Sequence, residues 1–281
     1  YDMFMDNLVN PSTLQSSHGW ALDVHNEIDS KLWRRCLQQF SDNAPILRSQ
    51  FIAGKPAYLD VGYLAIRERH VINYEFMDVS AKGYSSAQIK KVTDKIIYRP
   101  YDILKDEFIR FVTIKVANDH YVLVAAVHHA IQDGAALNAL WEQVTDAYTS
   151  LLEDPQAEIA FKEENFSDFV TTDRSVMDTS SVLDFWKGKL SAVEPLDFTV
   201  PAPIPEPGAY RSQEFYLDET HWAEVKKYCR KQRITPALYF KVLYGLLIHP
   251  YCQPDSAFAI QETTAGPRKG HDHCTGPSPT H

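Results

Sequence analysis

The chain has 281 residues, 44% hydrophobic and 23% charged, with a formal charge of -9 and a pI near 5.6. That length supports one large or two small cores. The acidic balance excludes partners held by a basic field, namely nucleic acid and anionic membrane surfaces.

In chain order, Asp29 to Phe40 places Leu32, Trp33, Cys36, Leu37 and Phe40 at helical spacing, with Asp29 or Ser30 as the cap. Ala44 to Ile52 reads as a strand after Pro45, and Ser85 to Ile97 as a helix stopped before Pro100. Two β-rich runs, 108–116 and 121–127, flank an Ala-Asn-Asp-His turn and predict a hairpin. From Gly134 the apolar period changes to three and four, through Leu137, Leu140, Trp141, Val144, Tyr148 and Leu151, which predicts a helix. The acidic, polar stretch 156–180 is a link between an N-terminal unit, 1–155, and a C-terminal one, 181–281. In the second unit the pattern predicts a helix at Ser181 to Leu190, a Pro-rich crossing at Val200 to Pro207 and a strand near Arg211 to Leu217. Helices at Glu219 to Lys231 and Pro236 to Ile248 and a strand at Ser256 to Gln261 follow.

No run of 18 apolar residues exists and the first residues lack a signal-peptide pattern, so a cytoplasmic protein without a membrane span is expected. Cysteines at 36, 229, 252 and 274 form no CxxC, which fits a reducing compartment better than disulfides or structural zinc. The lack of an initiator methionine reads as the mark of a piece of a longer protein.

The chemistry concentrates where the hairpin ends, at His128-His129-x-x-x-Asp133-Gly134. Successive strand residues face opposite ways, so only one histidine can enter a site; the other belongs to the interior. The same divergence argues against a shared metal. An imidazole at a strand mouth suits proton transfer from an attacking amine or hydroxyl, which is acyl-transfer chemistry. Asp133 has two candidate roles, orienting that imidazole or pairing with an arginine to brace the loop. Gly134 allows a sharp bend into the helix, whose first amides are candidate oxyanion donors. His271, His273 and Cys274 near the end read as a flexible polar tail rather than a metal cluster.

HHAIQDG resembles the HHxxxDG motif of nonribosomal peptide synthetase condensation domains, in the chloramphenicol acetyltransferase-like superfamily. "ILRSQF" at 46–51, "DFWKGKL" at 184–190, "ITPALYFKVLYGLLIHPY" at 234–251 and "FAIQETTAGPRKG" at 258–270 resemble further segments of that family. The resemblance implies an α/β fold of two chloramphenicol acetyltransferase-like subdomains in a V, here with the second incomplete. It implies a tunnel where donor and acceptor carrier proteins insert phosphopantetheine arms as substrate carriers, with no intrinsically bound cofactor or metal. Neighbouring domains of a multidomain synthetase are implied as covalent partners. Carried onto this chain, His129 becomes the catalytic histidine and His128 a structural one. Asp133 pairs with Arg48, or secondarily Arg268, and Gly134 keeps space for the arm. The related alternatives are an acyl-CoA-dependent O- or N-acyltransferase and a non-catalytic docking domain of the same fold.

Overall fold

A computed structural model describes residues 2–53, 62–159, 161, 179–193, 215–251, 257–260 and 262. They fall into two compact units, one reaching Phe161 and one from Thr179 to Glu262.

The first unit opens with helix α1 (Asp2–Val9) and strand β1 (Ser17–Val24). Helix α2 (Ser30–Asn43) starts where Asp29 accepts hydrogen bonds from the amides of Lys31 and Leu32. Strands β2 (Ser49–Ala53) and β3 (Gly62–Ile66) form a separate antiparallel ladder. Then come β4 (Tyr74–Asp78), helix α3 (Ser86–Ile97) with a Ser85–Gln88 capping box, β5 (Ile109–Ala117), β6 (His120–His128) and helix α4 (Gly134–Glu153). The main sheet runs β1-β6-β5-β4, with β4 parallel to β5 and the other pairs antiparallel.

The central strand β6 is apolar almost throughout because both its faces are covered. Leu123, Ala125 and Val127 join a core with Trp33, Leu37 and Phe40 of α2 and Leu137, Leu140 and Val144 of α4. The alternate residues Val122, Val124 and Ala126 pack with Ile89 and Ile97 of α3. Strand β1 lies close against β6: a Cβ built on Gly19 would stand 2.4 Å from the Ala125 carbonyl oxygen. Gly19→Ala is therefore expected to cost about 1–3 kcal/mol of stability, the penalty of forcing atoms into a packed site. Melting within error of the wild type would count against this tight approach.

Several expected elements stand as the pattern indicated, among them α2, α3, the β5–β6 hairpin and α4. The expected strand at 44–52 is corrected: Pro45–Arg48 is a 3₁₀ turn, and only Ser49 onward is strand. Proline supplies no amide to a ladder, while Leu47 N donates to Ala44 O at 3.0 Å and Ser49 Oγ to Ile46 O at 2.6 Å. Within the expected link, Ala157, Ile159 and Phe161 pack against the first core; residues 160 and 162–178 lie outside the described residues.

The second unit contains α5 (Thr179–Leu190), α6 (Glu219–Gln232) and α7 (Pro236–Ile248). Asp218 caps α6 through the His221 amide, and Thr235 caps α7 through that of Leu238. Helix α7 is apolar around its circumference yet buries none of its residues, with Leu246 and Leu247 each 65% exposed. The strands expected near 211–217 and 256–261 are not seen in their described parts. Phe215 to Leu217 has no ladder partner, and Ala257 makes a single parallel bridge to Val193. Backbone groups with no neighbouring strand among the described residues cannot build a sheet. The Pro-rich crossing at 200–207 and the tail with Arg268, His271, His273 and Cys274 lie outside the described residues.

Candidate active site

Strand β6 delivers the histidine pair to a turn held from both sides. His128 N donates to Phe108 O at 2.8 Å and His129 N to Ser16 O at 2.7 Å, while Ile131 N closes back on His128 O at 3.1 Å. Asp133 then begins α4, its carboxylate accepting from the Ala136 amide at 2.8 Å.

The two imidazoles separate as strand alternation requires. His128 is fully buried. Its ring stacks on Phe4 at 5.6 Å, with Tyr101 edge-on at 5.5 Å and Phe108 tilted at 5.4 Å. Nδ1 accepts from Ala130 N at 3.1 Å, so the proton sits on Nε2, which faces Asn7 Oδ1 at 3.0 Å. Burial, then the neighbouring His129, His18 and Arg110, lower its pKa to about 4. Arg110 is itself buried, donating to the carbonyls of Arg99 and Pro100 at 3.0 Å and lying 3.6 Å from the Tyr101 ring centroid. His128 thus anchors the motif in a cage of rings.

His129, one residue on, is half-buried, and its ring lies 4.3 Å from that of His18. His18 is the residue that sequence reasoning missed. It sits on β1 opposite Val127, a pairing that no local signal announces. Its pKa is lowered to about 4 by burial first and His129 second, against the raising influence of Asp133.

Two partners expected of the motif aspartate are not joined to it. Among the described residues no hydrogen bond links Asp133 to the His129 ring, so a triad-like relay is not assembled. Arg48 donates instead to the Arg67 carbonyl and, at 3.2 Å, to that of Glu68, bracing the end of β3. The 3₁₀ turn carries Arg48 toward these carbonyls, which explains the difference. The Ala136 amide, one of the candidate oxyanion donors, is taken by Asp133. Gly134 is outside the left-handed region, so the bend does not need glycine, and a Cβ there would meet nothing within 4 Å. The one group of metal-ligating side chains found among the described residues is elsewhere, Asp23, His25 and His120 at the other end of β1.

Two neutral imidazoles in the fold make stability pH-dependent. Unfolded, His128 titrates near 6.5; folded, near 4. Between these values the unfolded chain binds the extra proton, so stability falls as pH falls, by about 1.4 kcal/mol per unit for this group. A urea midpoint at pH 5 below that at pH 7.5 is the expected result, and an unchanged midpoint would contradict the burial argument.

A family model described as condensation domain matches residues 3–272. A polyketide synthase-nonribosomal peptide synthetase of Aspergillus clavatus is 24% identical over 261 residues, covering 86% of this chain and 6% of that protein. Chondramide synthase cmdD of Chondromyces crocatus is 23% identical over 262 residues, covering 87% of this chain and 6% of that protein. The chain therefore spans only a small part of such relatives. Among solved structures, SgcC5 from Streptomyces globisporus is similar in fold, with a TM-score of 0.76 at 15% identity, covering 95% of this chain and 61% of that one. A four-domain nonribosomal peptide synthetase, holo-AB3403, gives a TM-score of 0.71 at 20% identity, covering 89% of this chain and 19% of that one. No described helix is long and apolar enough to cross a membrane.

Proposed function

This chain belongs to the condensation-domain family, and on that premise we propose that it forms amide bonds within a nonribosomal peptide synthetase. The donor is an acyl or peptidyl thioester and the acceptor an aminoacyl group, each on the phosphopantetheine arm of a carrier protein. The acceptor nitrogen attacks the thioester carbon, the C–N bond forms as the C–S bond breaks, and the proton lost by the amine ends on the released thiol. His129 is the residue that meets the attacking nitrogen.

The observation that carries this reading is the division of the histidine pair. His128 is sealed among Phe4, Tyr101 and Phe108, and His129 stands half-buried at the turn before α4. An enclosed partner that holds the turn leaves the second imidazole free for substrate, at hydrogen-bonding reach of a reacting group. The open space beside Gly134 suits the approach of an arm.

The test uses the synthetase that contains this chain, with donor and acceptor carriers loaded separately and product followed by intact mass. Transfer of the acyl mass to the aminoacyl arm is expected. Transfer from free acyl-CoA to an alcohol without carriers would favour the acyltransferase reading, and carrier binding without any transfer would favour a docking domain.

A further inference from the structure

At the end of β1 away from the histidine motif, Asp23, His25 and His120 bring their ligand atoms within 4.8 Å of one another. Strand geometry assembles the group. Asp23 and His25 are two positions apart with Val24 between them, so their side chains leave the same face. The β1–β6 register pairs Val24 with Tyr121, and one step further sets His25 across from His120. Directly opposed residues share a face of the sheet. One carboxylate therefore stands between two imidazoles: His120 Nε2 donates to Asp23 Oδ1 at 2.5 Å, and His25 Nε2 lies 3.6 Å from Asp23 Oδ2. The two rings stack, with centroids 4.5 Å apart and planes 22° from parallel.

We propose that Asp23, His25 and His120 form a binding site for a single Zn²⁺ ion, with water in the fourth position. Two imidazole nitrogens and a carboxylate oxygen suit a borderline ion such as zinc better than calcium or magnesium, which take oxygen ligands. In a tetrahedron with bonds of about 2.0–2.1 Å the ligand atoms stand about 3.4 Å apart. The His25–Asp23 separation matches that spacing. The shorter His120–Asp23 contact opens by rotation of Asp23, whose side chain is 62% exposed. Each imidazole is free to bind through Nε2 once its proton sits on Nδ1. His120, half-buried on β6, supplies the fixed ligand, and the exposed His25 closes on the ion. Ion-free, such exposed pairs contribute little to stability. With zinc bound, the end of β1 is tied to the start of β6. The site lies at the surface, so the ion reaches it from solvent without any opening of the fold, and it does not depend on the amide-forming reading above.

The experiment titrates the metal-stripped full chain with Zn²⁺, following heat of binding, bound metal per chain and the thermal midpoint. Zinc takes neutral imidazole and ionised carboxylate, so the measurement is made above neutral pH. The wild type is expected to bind zinc and to melt higher as zinc is added, since the ion binds the folded state. Asp23→Ala and His25→Ala are each expected to weaken this binding by about a hundredfold, the upper range for disturbing a metal's outer shell, and to lose the zinc-dependent rise. Both side chains are exposed, so the variants keep the fold. A chain with both His271→Ala and His273→Ala, in the polar tail, controls for zinc held by other histidines and is expected to behave as the wild type. Binding and a midpoint shift unchanged in Asp23→Ala and His25→Ala would overturn the site. So would their loss in the tail variant, or a wild type that neither binds zinc nor shifts its midpoint.

Discussion

Exchange of His129 for alanine is expected to lower amide formation by roughly two to four orders of magnitude, the range associated with losing a positioned general acid–base group. The fold should survive. The attachment of His129 to the scaffold is its backbone amide, which donates to Ser16 O and is kept by any side chain but proline. Its ring is half-buried and makes its ring contact with His18 rather than with the core. Single-turnover transfer between loaded carriers, beside a circular dichroism melt, separates the two effects. Undiminished turnover in a folded variant would remove His129 from the chemistry.

The neighbouring substitution should do the reverse. His128→Ala is expected to destabilise the first unit by about 3–5 kcal/mol, comparable with truncating a buried aromatic ring. Phe4, Tyr101 and Phe108 lose the ring they surround, and the Ala130 amide and Asn7 Oδ1 lose their partners. Buried groups stripped of hydrogen bonds add to the cavity cost. Any loss of activity should therefore track loss of folded protein, and denaturant unfolding of both single variants provides the comparison. A His128→Ala protein as stable as the wild type would show that the cage does not hold the turn.

The two variants share a motif and differ in mechanism because a strand alternates its faces. That alternation was legible in the sequence, and so were the local elements around it. Asp29 as a helix cap, the Ser85 capping box, and the change of period at Gly134 are signals within about one helical turn of the residues they organise. The resemblance carried by HHAIQDG led to the same family that the matched model names. Strand β1 was not legible, since Ser17 to Val24 mixes serine, histidine, glycine and aspartate and shows no clean apolar alternation. Helix α1 was missed as well, although its Phe4 and Asn7 enclose His128.

The sequence by itself determined α2, α3, the β5–β6 hairpin and α4, and that His128 and His129 cannot face the same way, because caps, turns and side-chain periods act between near neighbours. Only the tertiary structure decided what each histidine meets. Asn7 reaches His128 across 121 positions of chain, His18 reaches His129 through the β1–β6 register, and Arg48 turns to the carbonyls of Arg67 and Glu68. Such partners are chosen by how whole strands and helices pack, and a local pattern does not encode the choice.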